Sequence, residues 1–302
     1  MPLLAHLSDP HLAPLPQPQW SELIGKRATG YLNWQRRRHL VHRADVLARI
    51  VADLKAQLPD HIAVTGDLVN IALPGEYTPA RAFLESLGLP HDVTLVPGNH
   101  DAYVRSAAPH REQHWGDYMR GDDGATGELS FPFVRRRGPL ALIGLSTAVP
   151  SPPFMATGRL GGAQLARLGA ALDSCAGLFR VVLIHHPPLS KPSRRFKRLL
   201  DGIELRLALA RHGAELVIHG HDHERARIEL AGPGGPGGPR RIPVVGVPSA
   251  SEAPPGRHDP AGYNLYRIEG TSGAWRCEMV SRGLARDGAA IVEIARTMLV
   301  GN

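Results

Sequence analysis

The sequence predicts an α/β fold built on a largely parallel sheet, and three observations carry that prediction. Short β-branched runs recur along the chain, helix-like segments separate them, and the residues that close the runs belong to one chemical class. Strand and helix in alternation give parallel strands under helical cover. Ligands of such sheets gather beyond the carboxyl ends of the strands.

The elements follow in chain order. A strand over 3–7 runs into Ser8-Asp9-Pro10-His11, and a helix follows over 43–58. The strand at 62–64 runs into Gly66-Asp67-Leu68-Val69-Asn70, before a helix over 79–87. The strand at 93–96 meets Pro97-Gly98-Asn99-His100-Asp101. A strand at 140–145 and a helix over 163–174 lead to the strand at 181–184, which ends in His185-His186-Pro187-Pro188. A helix over 196–211 then precedes the strand at 216–218, which ends in His219-Gly220-His221-Asp222-His223. Beyond it come the runs RARIEL, RIPVVGV, YNLYRIE and AWRCEMV, which predict an antiparallel second sheet. The Gly/Pro tract at 232–239 reads as a flexible hairpin connection between two of them. Neither an internal repeat nor a linker divides the chain, so residues 1–302 are expected to form one domain.

Composition narrows the function classes. With 302 residues and 43% hydrophobic content the chain can bury a substantial core. It carries no apolar run near the roughly 20 residues that span a bilayer, and its first residues lack the pattern of a secretory signal, so a cytoplasmic location is expected. Cys175 and Cys277 are the only cysteines and have no CxxC spacing, which argues against a disulfide scaffold or a thiolate zinc site. A formal charge of +7 favours an anionic partner, whether nucleic acid, lipid headgroup or phosphorylated metabolite. An aromatic content of 5% is sparse for stacking bases, so no stable nucleic-acid partner is expected.

The five strand-end clusters supply carboxylate, imidazole and carboxamide groups without sulfur. That donor set suits hard or borderline divalent ions. Two such ions about 3.5–4 Å apart repel each other, and a shared carboxylate offsets the repulsion while the pair clamps a phosphoryl centre. No serine or cysteine sits in an elbow motif, so a protein nucleophile is not expected.

Taken in order, the motifs D-x-H, GD-x-x-N, GNHD, HH and GH-x-H resemble the calcineurin-like metallophosphoesterase superfamily, over the span from Asp9 to His223. The resemblance implies a four-layer α/β/β/α sandwich of two mixed sheets flanked by helices. It also implies a hydrolase of phosphoric esters that uses two divalent ions, Mn2+ first, with iron, zinc, cobalt and nickel open. By motif position, Asp9, His11 and His223 would hold one ion, Asn99, His185 and His221 the other, with Asp67 shared. The ligand of the HH motif would be His185, with His186 behind it. His100 would touch the substrate phosphate and protonate the leaving oxygen, with Asp101 orienting its ring, and attack on phosphorus would come from a hydroxide that the ions generate from water. Pro10 and Asn70 stand at motif positions where the superfamily often has other residues, but neither is a ligand position. His219 and Asp222 are expected to be hydrogen-bonding neighbours. His6, His39, His42, His61 and His212 have no motif around them and read as surface or structural residues.

Substrate choice must come from insertions around such a site. Two are basic and apolar at once, at about 13–43 and 189–202. The first offers Tyr31, Trp34, Arg36 and Arg37, the second Arg194, Arg195 and Phe196. Mixed in this way they suit an anionic lipid surface, or they form a cap over the site. The stretch KRATGYLNW with its following arginines resembles the bacterial intracellular phospholipase C branch, whose members strip headgroups from membrane glycerophospholipids and leave diacylglycerol. That resemblance implies a phospholipid phosphodiesterase in peripheral contact with the inner membrane. The alternatives are a soluble phosphodiesterase for 3',5'-cyclic AMP or glycerophosphodiesters, and a non-catalytic or nucleic-acid-binding protein.

Overall fold

The computed structural model describes residues 1–124, 129–234, 240–254 and 256–301. Twelve strands are described: β1 (Leu3–Leu7), β2 (His61–Val64), β3 (Val93–Leu95), β4 (Phe133–Arg137), β5 (Leu140–Gly144), β6 (Phe179–Leu183), β7 (Leu216–His219), β8 (Ala226–Ala231), β9 (Arg241–Gly246), β10 (Gly262–Glu269), β11 (Arg276–Leu284) and β12 (Ile291–Val300). The α-helices are α1 (Lys26–Asn33), α2 (His39–Val41), α3 (Ala44–Ala56), α4 (Tyr77–Leu87), α5 (Ala107–Trp115), α6 (Gly162–Asp173) and α7 (Gly202–His212).

Two six-stranded mixed sheets result, in the orders β12-β11-β10-β1-β2-β3 and β4-β5-β6-β7-β9-β8. The C-terminal strands therefore do not make a separate antiparallel sheet. β1 pairs in parallel with β2 along one edge and antiparallel with β10 along the other. Its residues Leu4 to Leu7 are buried, so an open edge there would strand backbone donors away from water, and β10 covers it. β8 and β9 likewise complete the second sheet beyond β7 as a hairpin, in register from Ala226↔Gly246 to Ala231↔Arg241. Of the tract that joins them, residues 235–239 lie outside the described residues.

Side-chain alternation explains the layers. Val181 and Leu183 of β6, Leu216 and Ile218 of β7, and Leu142 of β5 face the cluster that also holds Leu4, Ile62 and Leu95 of the first sheet. Val182, Val217 and Ile143, one position along each strand, face a second cluster with Leu168 and Leu172 of α6 and Leu205 and Leu209 of α7. Ile50 and Leu54 of α3 and Leu84 of α4 belong to the first cluster. The sheets thus share one interior and carry helices outside it, the expected α/β/β/α order.

Two strands were not legible as such. β4, with the sequence FVRRR, reads as charged loop, yet its Arg135 is buried and donates to the carbonyls of Pro90 (2.6 Å), Val93 (2.7 Å), Arg120 (2.6 Å) and Asp117 (2.7 Å). These bonds tie the β4 edge of one sheet to the β3 edge of the other. β12 is mostly exposed and draws its order from pairing with β11. The helix expected over 196–211 begins only at Gly202. Residues ahead of it spend their backbone groups on a neighbouring segment instead, with Ala156 N–H donating to Phe196 O and Leu200 N–H to Gly158 O, both at 2.9 Å.

Candidate metal centre

The loops after β1 and β2 run side by side, with Asp9 N–H donating to Gly66 O and His11 N–H to Asp67 O. A third loop, after β3, closes onto them at Gly66 and Gly98. A Cβ on Gly66 would collide with the backbone N of Gly98, and one on Gly98 would strike Asp67 Oδ1 and come within 2.7 Å of His185 Cε1. Only paired glycines permit that approach. From the second sheet, His185 follows β6 and donates from Nδ1 to Thr65 O at 2.6 Å, crossing to the end of β2. His221, beyond β7, donates its backbone N–H to Asp9 Oδ2 at 2.9 Å.

Seven side chains meet there. Asp67 Oδ2 lies 3.3 Å from His185 Nε2 and 3.9 Å from His11 Nε2. His185 Nε2 is 3.2 Å from both Asn99 Oδ1 and His221 Nδ1. On the other side, His11 Nε2 and His223 Nε2 are 3.3 Å apart, and Asp9 Oδ1 lies 3.2 Å from His223 Nε2. Asp67 is therefore the carboxylate common to both halves. Asp9, His11, Asp67, His221 and His223 all take positive φ, from 40° to 70°, a costly state for residues with a Cβ. Backbone strain of this kind concentrates where side chains must be aimed at one point.

The far nitrogen of each histidine explains its aim. His11 Nδ1 faces Val69 O at 3.3 Å, His221 Nε2 faces Lys197 O at 2.8 Å, His185 Nδ1 faces Thr65 O, and His223 Nδ1 faces Glu252 Oε2 at 3.2 Å. Each partner accepts only, so each ring must donate outward, which turns its other nitrogen to the centre. This is how proteins orient metal-binding imidazoles. Asp9 Oδ1 is buried, with His223 Nε2 as its ion-pair partner. Inward ring nitrogens set around the buried carboxylates of Asp9 and Asp67 and the Asn99 carboxamide fit a pair of divalent ions.

Electrostatics agrees. Burial holds His11 and His221 well below the ordinary imidazole range, so both are neutral. Burial also disfavours a charged His185, but the Asp67 carboxylate outweighs it and lifts the ring to about 10. His223 is lifted to about 9, against burial, by Asp9 and Glu252. The carboxylates of the centre thus hold protons on His185 and His223, where cations would go.

Calcineurin-like metallophosphoesterases are the class this fold and centre define, and comparison with known proteins bears that out. The family model described as calcineurin-like phosphoesterase matches residues 2–225. The chain is 28% identical over 237 residues to a probable cyclic nucleotide phosphodiesterase of Synechococcus, covering 77% of this chain and 80% of the relative. It is 30% identical over 231 residues to a glycerophosphodiester phosphodiesterase of Enterobacter lignolyticus, covering 73% and 70%. Among solved structures, a dimetal phosphatase from Danio rerio superposes with a TM-score of 0.61 at 15% identity, over 98% of this chain and 99% of that one. The chain belongs to the calcineurin-like phosphoesterase family and is a hydrolase of phosphoric ester bonds.

Beyond the seven donors, several expected roles change. Asp101 does not touch the His100 ring. Its buried carboxylate accepts backbone N–H groups of Gly98, Asp67, Leu68 and Val69, stapling two loops together. His100 is oriented by Asn70 O, which Nδ1 contacts closely, while Nε2 lies 3.1 Å from Arg38 Nη1. A carbonyl only accepts and a guanidinium only donates, so the ring carries its proton on Nδ1. Burial lowers its pKa to about 3, which favours the neutral ring in the metal-free protein. His186 uses both nitrogens elsewhere, on Thr147 Oγ1 (2.7 Å) and Ala156 O (3.0 Å).

The cap residues divide. Trp34 is 7% exposed and fills the interior, whereas Tyr31 is half-buried, packing against the core and lining a surface hollow with Trp20 and Leu32. Arg194 is committed to Asp222 and Glu224. Arg36 and Arg37 line the mouth of a cavity of about 680 Å³ that contains the centre. Arg195 and Phe196 are exposed and stack on each other at 4.6 Å. His6, His61, His39 and His212 stand at surface or structural positions, and His42, hydrogen-bonded to Ser251 Oγ at 2.9 Å, is buried beside His11 and His223, its ring 4.6 Å from that of His11. Glu252 and Arg38 were missed. With His42 they lie outside any motif, and no local signal marks them.

Proposed function

We propose that this chain is a two-metal phosphodiesterase for small anionic phosphodiesters of the cyclic nucleotide or glycerophosphodiester kind, with residues 1–302 acting as one catalytic domain. The observation that carries the reading is the convergence of seven donor side chains at a basic cavity. The names of the two relatives support the substrate class. Asp9, His11 and His223 would hold one ion and Asn99, His185 and His221 the other, with Asp67 between them. Bound there, the ions would supply Lewis-acid charge to a phosphoryl oxygen and lower the pKa of a water.

The chain's own groups do the rest. Asn70 O fixes the tautomer of His100, whose Nε2 accepts from Arg38 Nη1. Glu252 and the carbonyls of Thr65, Val69 and Lys197 keep the imidazoles aimed. Arg36 and Arg37 at the rim favour an anionic ester.

A specific observation favours a second reading, the phospholipid. Large apolar side chains stand exposed on the two insertions and on the adjoining 151–156 loop: Trp20 (91%), Leu40 (66%), Phe196 (51%) and Phe154 (87%). With the arginines among them they suit an anionic leaflet, where each nearby cation contributes about 1 kcal/mol. No helix among the described residues is long and apolar enough to cross a membrane, so this contact would be peripheral.

One panel tests both readings: cyclic AMP, glycerophosphodiesters and anionic phospholipid vesicles, offered to metal-reconstituted protein. Hydrolysis of the soluble esters alone is expected from the first reading. Headgroup release that falls when Trp20 and Phe196 become serine, with soluble turnover retained, would favour the second. No turnover of any phosphodiester would end both.

A further inference from the structure

The cap insertion delivers one side chain that neither the motifs nor the metal donors account for. Trp34–Arg38 forms a π-helical turn, a wider coil than the α-helix on either side and one that recurs at functional sites. Its last residue, Arg38, points into the cavity. Nη1 donates to His100 Nε2, whereas Nε and Nη2 are buried with no hydrogen-bond partner. The carboxylates that act on it are Asp67, Asp9 and Glu252, none of which bonds to it, and Lys197 is a further cation nearby.

A buried guanidinium with two idle donors is expensive. A buried donor left without a partner carries its full desolvation penalty, larger for a charged group than for a neutral one, and an unpaired buried charge costs more still. Divalent ions would raise that cost further, since Asp9 and Asp67 together offset only part of their charge. The fork becomes favourable only when an anion with two or more acceptor oxygens sits between it and the centre. Planar two-point capture of a phosphate is what a guanidinium does best.

From this geometry we infer that Arg38 is a catalytic residue that grips an unesterified oxygen of the substrate phosphodiester through Nε and Nη2. It does so while holding His100 Nε2 in place through Nη1. The inference rests on the phosphodiesterase reading and deepens it. Charge on that oxygen grows as the ester cleaves, so the grip tightens in the transition state.

The test uses metal-loaded full-length protein, with metal content measured for every variant. Arg38→Ala is expected to lower kcat/KM on a chromogenic phosphodiester by about a hundredfold or more, chiefly in kcat. It is also expected to weaken competitive inhibition by inorganic phosphate by about tenfold. Millimolar guanidinium should restore part of the rate, and Arg38→Lys, which keeps charge but loses the fork, should fall between. Phosphate should raise the Tm of the native protein and not that of Arg38→Ala, a readout that needs no turnover. If the native protein shows that protection yet cleaves no phosphodiester, the phosphodiesterase reading fails while the anion grip stands. Unchanged phosphate inhibition and protection in Arg38→Ala or Arg38→Lys, with metal content intact, would overturn the assignment. So would a loss of activity explained entirely by lost metal.

Discussion

The carboxylate of Asp101 accepts the backbone N–H of Asp67 at 2.8 Å, and by doing so it holds the shared carboxylate in a left-handed backbone conformation, φ 57°. The same oxygen takes Gly98 N–H at 2.8 Å and its twin takes Leu68 N–H at 2.9 Å. Every partner is a donor. Asp101→Asn puts an amide N–H where an acceptor is needed and leaves a buried donor unmet. We expect metal-free protein to lose about 2–3 kcal/mol of stability, measured by denaturant unfolding. A change below about 0.5 kcal/mol, within the range of ordinary surface substitutions, would mean that the staple is not what orders these loops.

Glu252 backs His223 as a main-chain carbonyl backs the other three imidazoles. It is buried, its Oε1 accepts His258 N–H at 3.2 Å, and its backbone bridges to His42. Glu252→Gln keeps the shape and removes the charge that favours a donating Nδ1. Partners of this kind change metal affinity by about 10–100-fold. Titration of the metal-free variant should therefore show one weakened ion and one unaffected, because His185 and His221 lean on Thr65 and Lys197 instead. Two ions weakened equally would contradict the division of the centre into halves.

What the sequence disclosed of this centre follows from where the donors sit. Asp9, Asp67, Asn99, His185 and His221 each come just beyond a strand that hydrophobic runs make visible, so motif order and sheet topology pointed to the same place. His42, Glu252 and Arg38 reach the centre from a cap turn and a loop, brought there by tertiary contacts with no local pattern. Burial was equally invisible: Trp34 and Phe196 look alike in a basic, aromatic stretch, but one fills the interior and the other stands in solvent. Helix propensity misled at residues 196–201, where pairing with residues 156–158 won. The partition of strands between sheets depends on which edge of β1 needs a partner, and composition does not record that.

Proton release should accompany metal binding, and its direction follows from the two raised histidines. In metal-free protein His185 and His223 titrate at about 10 and about 9, above the ordinary imidazole value, because Asp67, and Asp9 with Glu252, outweigh their burial. A folded-state pKa above the unfolded value stabilises the fold fully below about 6.5, the unperturbed imidazole value, and that stabilisation is lost as pH climbs through 9 to 10. The metal-free protein should therefore lose Tm across that window. Ions demand neutral rings, so at pH 7 they must expel both protons, and apparent affinity should rise with pH by up to about tenfold per unit per proton. The gain in Tm on metal addition should widen from pH 6 to 9 while the metal-free baseline falls. Calorimetric titration at pH 7 in two buffers of different ionisation enthalpy counts the protons directly. Asp67→Asn, which removes the charge that lifts His185, should release fewer, whereas binding without any proton release would show that the Asp67–His185 and Asp9–His223 pairs do not hold the charges ascribed to them.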